Sequence, residues 1–435
     1  MYIQKLQVNA SVASRDQHDG SSFSFVSNHG DWLPAVREFT RQHSRRGKVL
    51  VASIPAGIVL LCTAIGVGVG VSRAAGRNTG KVNPVAAAEH TLWKTGDMGI
   101  LAYRIPLLTF TPKGYLIAAA EARKHMQDAG PKYLTIRRSR DKGATWGPPK
   151  YILNHGALVK EGFMLGSILV DHETNTTFIV FLQCSFPPPD VGCPGPATYI
   201  INSTDDGKTW GEPRNLTHQI GHVTFAAGPG YGIQKQKEPF KGRLIICGHR
   251  SMIGTFCILS DDHGMTWRYG KQGLAALPSH QSRQKGDFQP DECQIVELPN
   301  GSIMLNARNE QKYRCRCRIV AMSYDGADTF PMEKVKFDEA LIDPTVAAGL
   351  LYHDSVLFFT NPKNSTHRMK LTLRWSFSHG NHWDGEYVIW HKQSGYSTMA
   401  SSNHPTDKNY IYILFEKGIH REYESISFVK VKLTQ

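Results

Sequence analysis

From about residue 91 onward, apolar residues alternate with polar ones in short runs, and each run stops at a turn signal. Tyr103–Thr109, the turn Thr111–Gly114 and Tyr115–Ala120 predict strand, turn, strand. Leu350–Tyr352 and Val356–Thr360, joined by His353-Asp354-Ser355, predict a second hairpin, and Tyr410–Phe415 a late strand. No long stretch keeps a helical period. The pattern predicts an all-β domain over residues 91–435.

Three related octapeptides punctuate this pattern: SRDKGATW (Ser139–Trp146), STDDGKTW (Ser203–Trp210) and SDDHGMTW (Ser260–Trp267). Two weaker copies follow, SYDGADTF (Ser323–Phe330), without the glycine, and SFSHGNHW (Ser376–Trp383), with Ser378 in place of the aspartate. Their starts lie 53–64 residues apart, a spacing that suits one four-stranded propeller blade, so 91–435 holds about six such units. In the four copies that have it, the aspartate (Asp141, Asp205, Asp262, Asp325) is placed to accept backbone N–H bonds within its own turn. The glycine supplies a positive φ, the threonine caps the turn, and the tryptophan packs beneath it. These repeats are structural.

Upstream the texture differs. Residues 1–48 are polar and without period, and read as a flexible tail. Residues 49–71 (VLVASIPAGIVLLCTAIGVGVGV) carry no charge and are long enough to cross a bilayer; flanking arginines and lysines favour a signal-anchor with the tail in the cytosol. Residues 72–90 read as a linker. Seven of the eight cysteines lie beyond the apolar run, with Cys184/Cys193 and Cys247/Cys257 spaced for local disulfides, one thiol left over, and Cys315/Cys317 too close for usual zinc-ligand spacing. Asn175, Asn202, Asn215, Asn300 and Asn364 begin glycosylation sequons, which with the anchor fit a lumenal domain. The net charge of +13 is consistent with anionic partners, but no basic run interleaved with aromatics supports nucleic-acid binding.

The octapeptides are Asp boxes, and Tyr103-Arg104-Ile105-Pro106 resembles the Arg-Ile-Pro motif of the exo-α-sialidases, six-bladed propellers. Ala227–His249, DFQPDECQ (287–294), Leu371–Ser378 and Ser394–Ala400 resemble the animal lysosomal branch of that family, over roughly residue 90 to the end. The resemblance implies retaining hydrolysis of terminal sialic acid from glycoproteins, oligosaccharides and gangliosides, without metal or cofactor. Sialic acid bears a carboxylate on its anomeric carbon, and arginine's planar fork suits that anion. The resemblance assigns the clamp to Arg104, Arg308 and Arg368, with Arg374 a rival on the same segment, and gives Glu416 the task of orienting Arg104. A second anion aimed at that carbon would be repelled, so the nucleophile is a tyrosine, Tyr396, with Glu292 taking its proton. Asp128 matches the acid that protonates the leaving oxygen, with a raised pKa expected of it, and Glu121 and Arg123 match substrate-side residues.

The resemblance further implies a lysosomal enzyme, lumenal or membrane-anchored, in a complex with cathepsin A and β-galactosidase; plasma membrane or another endomembrane are the alternatives. A trans-sialidase would carry the same residues. A rival from another class is a non-enzymatic Asp-box propeller serving as a sorting or carbohydrate-binding receptor, since Asp boxes alone do not specify catalysis.

Overall fold

The computed structural model describes residues 82–434 apart from 129, 154–160, 186–195, 222–223, 251–252, 276–287, 312–313 and 403. The expected tail, the apolar run 49–71 and Cys193 lie outside the described residues. Among the described residues, regular structure is strand throughout, apart from three single-turn 3-10 helices. The predicted hairpins form as Ala102–Phe110 with Leu116–Arg123 and as Gly349–His353 with Val356–Pro362, and the late strand runs Tyr410–Gly418.

Five sheets result, in a propeller-like arrangement. The first pairs Ala102–Phe110, Leu116–Arg123, Lys132–Ser139 and Lys150–Leu153 as an antiparallel meander. The second is built on Glu161–Asp171, Thr176–Ser185 and Ala197–Ser203, the third on Leu244–Arg250 and Gly254–Ser260, and the fourth on Pro290–Glu297, Ile303–Asn309, Cys317–Ser323 and Lys336–Ile342. The fifth has eight strands, the longest being Gly385–Ala400.

The apolar clusters lie between successive sheets. Ile117 and Leu134 of the first sheet meet Phe163 and Ile179 of the second, which in turn offers Leu169 and Val180 to Ile246 and Ile258 of the third. Ile245 and Leu259 meet Ile295 and Leu305 of the fourth, Val296 meets Leu350 and Phe359 of the fifth, and Leu414 and Phe428 of the fifth return to Leu108 and Leu116 of the first. This closed ring explains why Leu116–Arg123 is buried at all eight positions: a strand covered on both faces shows no alternation.

Asn83–Ala86 pairs with Ser425–Thr434, from Asn83 opposite Thr434 to Ala86 opposite Val431, and His90–Lys94 pairs with the same strand. The stretch expected to be linker, 72–90, is thus part of the folded domain from Asn83 on. Short runs rich in small residues and proline give little sequence signal; Pro84 is tolerated because this strand is an edge.

The Asp boxes form the expected turns. In the first, Thr145 N and Oγ1 donate to the two Asp141 oxygens at 2.8 and 2.6 Å, while Ser139 Oγ accepts from Gly143 N at 2.7 Å. Gly143 has φ 85°, and a Cβ there would stand 2.3 Å from the Phe428 ring. The fourth box keeps the same bonds around Asp325 with Ala327 at φ 65°, and in the fifth Ser378 Oγ accepts from His382 N at 2.9 Å in the aspartate's stead. Cys247 and Cys257 face each other across their hairpin as a disulfide, and Cys315 pairs with Cys317, which accounts for a spacing unsuited to zinc. Among the described residues, Cys293 is a free thiol and is buried.

Candidate active site

Four strands from different sheets reach one cavity of about 460 Å3, and each slips register where it arrives. The shifts fall between Arg104 and Leu107, Leu165 and Ser167, Pro290 and Cys293, and Ser394 and Ser397. A bulge bends its strand and re-aims the local side chains. Ile105, in the first, takes φ 58°, a conformation costly for a β-branched residue.

Glu416 compensates that cost. Its fully buried carboxylate accepts from Ile105 N at 3.0 Å, Tyr396 N at 3.0 Å, and Arg104 Nε and Nη2 at 2.8 and 3.3 Å. One carboxylate therefore fixes two bulges and one guanidinium. It also packs so close to Gly395 that a Cβ there would lie 2.2 Å from Oε2, which explains the glycine in SGYS.

The Tyr396 hydroxyl donates a short hydrogen bond to Glu292 and accepts one from Arg308 Nη1 at 3.2 Å, while Arg308 Nη1 also reaches Glu292 Oε2 at 2.7 Å. The Arg104 and Arg368 guanidinium carbons stand 5.1 and 5.5 Å from the Tyr396 ring centroid. All three sequence-designated arginines thus converge on one tyrosine. Burial and the Glu292 charge push the phenol well above its ordinary pKa, against the lowering pull of the arginines. Burial also acts to raise the Glu292 carboxyl, but Arg308 and His249 outweigh it and hold it below the usual range. The resting pair is a neutral phenol beside an ionised carboxylate.

Arg374, the rival to Arg368, is buried away from the cavity and donates to Asn361 Oδ1 at 2.9 Å. Arg368 lines the cavity, held by the Thr345 carbonyl at 3.0 Å. Both lie on one short segment, and only the fold separates their tasks.

On the other wall, Glu121 and Arg123 are buried and joined at 2.8 Å, and Glu121 Oε1 accepts from Leu165 N at 2.7 Å. Arg123 Nη1 reaches out to Asp128 Oδ1 at 2.8 Å, and the Asp128 side chain is 72% exposed. Here the structure corrects an expectation. Partial burial does push the Asp128 carboxyl up, but Arg123, then Lys132 and Arg104, overcome it and leave the pKa lowered rather than raised. Three cations together outweigh the largest single effect, burial.

Sequence reasoning missed several cavity neighbours. His249 and Asp291 lie 3.5 Å apart and both line it; Glu422 approaches Arg368 at 3.8 Å; Lys132 is buried beside Glu121 at 3.2 Å. The adjacent carboxyls of Asp291-Glu292 were the available signal for Asp291, while a lone histidine or strand lysine gives none. Elsewhere, Asn175, Asn202, Asn215 and Asn300 are exposed and Asn364 is half-buried.

A family model described as a BNR repeat-like domain matches residues 114–413. The sialidase of Micromonospora viridifaciens is 33% identical over 342 residues, covering 72% of this chain but only 50% of that protein, so the chain spans half the length of this relative. Sialidase-3 of Rattus norvegicus is 25% identical over 408 residues, covering 78% of this chain and 93% of that protein. Among solved structures, Hadza microbial sialidase Hz136 superposes with a TM-score of 0.63 at 23% identity, over 79% of this chain and 68% of that one. The intramolecular trans-sialidase of Ruminococcus gnavus gives 0.62 at 18%, over 78% and 96%. At these identities the structural likeness speaks to the fold.

Proposed function

As the chain belongs to the BNR-repeat sialidase family, we propose that it is an exo-α-sialidase that removes terminal sialic acid with retention of configuration. The observation that carries this reading is the Tyr396 hydroxyl between Glu292 and Arg308, with Arg104 and Arg368 against its ring. Three guanidiniums converge at that spot, and a planar carboxylate matches their fork geometry. In the proposed reaction they hold the substrate carboxylate. The Tyr396 oxygen then bonds to the anomeric carbon while Glu292 takes the phenol proton and Asp128 gives a proton to the departing glycosidic oxygen. In the second half Asp128, now ionised, takes a proton from water. The water oxygen replaces Tyr396 at the same carbon, and the phenolate recovers its proton from Glu292. With its pKa lowered, Asp128 carries its proton only in acid, so the proposed reaction runs best at acidic pH; a lysosomal location, which the family resemblance implies, is part of the proposal.

The six-bladed reading rests on the eight-stranded sheet. Gly385–Ala400 pairs along its first half with Met369–Ser376 and along its second with Tyr410–Gly418, and an apolar cluster of Leu373 and Phe358 with Ile413 and Val429 lies within the sheet. Two blades sharing one long strand would give that pattern.

A fluorogenic sialoside tests the activity, with Tyr396→Phe beside the wild type and the anomer first released followed by proton NMR. The proposal expects the α-anomer from wild type and at least a ~100-fold loss in the variant. Equal release from both proteins removes Tyr396 from the mechanism; no release from either favours a binding propeller.

A further inference from the structure

Lys132 is a fully buried charge beside the site with no task in that mechanism. It lies at the start of Lys132–Ser139 with its side chain wholly inaccessible to solvent. Its ammonium donates to Glu121 Oε2 at 3.2 Å and, in a short hydrogen bond, to the main-chain carbonyl of Asp128. Burying an ammonium is expensive unless its charge is matched. Glu121 does not need it: that carboxylate already holds Arg123 at 2.8 Å and Leu165 N at 2.7 Å. Glu121 and Arg123 balance each other, and Lys132 balances only when Asp128 is counted. The excess cation therefore belongs to the acid loop.

We propose that Lys132 is a positioning residue for Asp128, tying the main chain of the acid loop to the sheet so that the carboxyl meets the leaving oxygen. The loop between Leu116–Arg123 and Lys132–Ser139 closes on itself through Lys124 N to Pro131 O at 2.9 Å and Gly130 N to Gln127 O at 3.0 Å. Two buried cations bond it inward. Arg123 reaches the Met126 carbonyl at 3.3 Å and the Asp128 carboxyl; Lys132 grips the Asp128 carbonyl. To give its proton the Asp128 carboxyl must first be neutral, which weakens its bond to Arg123, whereas a bond to the main chain survives that change. Lys132 also carries its charge at acidic pH: burial lowers its pKa, to about 8, well above the working range. The charged groups facing it are Glu121, Arg123 and Asp128.

This inference rests on the sialidase reading, and the test separates the two. Wild type, Lys132→Met and Asp128→Ala are compared on 4-nitrophenyl sialoside, whose phenol leaves without help, and on 3′-sialyllactose, whose alcohol needs an acid. The expected result is a ~10–100-fold fall in kcat/KM, which reports the steps up to departure of the leaving group, for sialyllactose in Lys132→Met with the nitrophenyl substrate within about threefold, and no further fall when Lys132→Met is added to Asp128→Ala. Equal losses on both substrates, or additive losses in the double variant, overturn the proposal. If Lys132→Met does not fold, Lys132→Gln is read by the same ratio; if neither folds, Lys132 is structural and the proposal falls. An inactive wild type would sink the sialidase reading instead.

Discussion

Replacing Glu416 by glutamine removes one charge at nearly constant volume, and the structure says what that costs. The carboxylate accepts four bonds, two of them from Arg104 and two from backbone N–H groups at the bulges. Glutamine retains one oxygen, enough for the donors on one side. Its amide NH2 then faces donors on the other side, either Tyr396 N and Arg104 Nη2 or, flipped, Ile105 N and Arg104 Nε. Two bonds are lost, and the Arg104 guanidinium, with its side chain 12% exposed, is left without its counter-charge. Breaking a buried pair by removing one partner costs about 3–5 kcal/mol. Denaturant unfolding with the disulfides intact should show that loss as a lower midpoint at unchanged slope. Because Arg104 is then no longer held against Tyr396, KM for a fluorogenic sialoside should rise by roughly 10–100-fold, equivalent to one charge-assisted contact of about 1.5–3 kcal/mol. Glu416→Asp, a carboxylate one methylene shorter, should recover part of both. A variant that loses less than about 1 kcal/mol and keeps KM within twofold would refute the idea that this carboxylate organises the site.

The two neighbouring arginines should separate cleanly. Arg368→Met is expected to raise KM by at least ~10-fold with little change in unfolding, and Arg374→Met to shift the unfolding midpoint with KM unchanged; the reverse pattern would reassign the clamp. The pH profile of kcat/KM reports the free enzyme. The low pKa of Glu292 leaves the base ionised well into acid, while Asp128, also lowered, holds its proton only in acid. Activity should therefore already be falling as pH rises through the ordinary carboxylate range, by up to tenfold per unit, with the falling limb abolished in Asp128→Ala. A flat profile from pH 5 to 7 would show that another group supplies the proton.

Much of the fold was legible because its signals are local. The Asp boxes carry their own hydrogen-bond chemistry within eight residues, so their turns follow from sequence even where Ala327 replaces glycine and Ser378 replaces aspartate. The first blade strands were legible as short apolar runs on either side of TPKG. The short edge strand Asn83–Ala86 was not, since its only reason to be extended is a partner some 350 residues away. In the site, Arg104, Arg308 and Tyr396 were identified through family motifs, but nothing in HRMKLTLR distinguishes Arg368 from Arg374, because the fold decides: Arg368, just before the strand Met369–Ser376, lines the cavity, and Arg374, within that strand, is buried beside Asn361. The electrostatic state of Asp128 was inferred with the wrong sign for a related reason. Its surroundings are Arg123, Lys132 and Arg104, and the last of these comes from another strand.

The bulges explain why local reading stops where the chemistry begins. In a regular strand, consecutive side chains point to opposite faces, so Asp291 and Glu292 could not both line one cavity, nor could Arg104 and Ile105. The register shifts between Arg104 and Leu107 and between Pro290 and Cys293 relax that rule at the positions that need it. All four residues line the cavity as a result. A bulge leaves backbone groups without ladder partners, and those need a substitute acceptor or donor. Here the substitutes are functional side chains: Glu416 takes Ile105 N and Tyr396 N, Glu121 takes Leu165 N, and Asp291 takes Glu292 N at 2.9 Å. The carboxylates that order the arginines are therefore also the caps of the interrupted strands. Folding the propeller and arming the site draw on the same bonds, so a substitution at Glu416 or Glu121 must register in both stability and activity, whereas one at Arg368, which caps no strand, should register in activity alone.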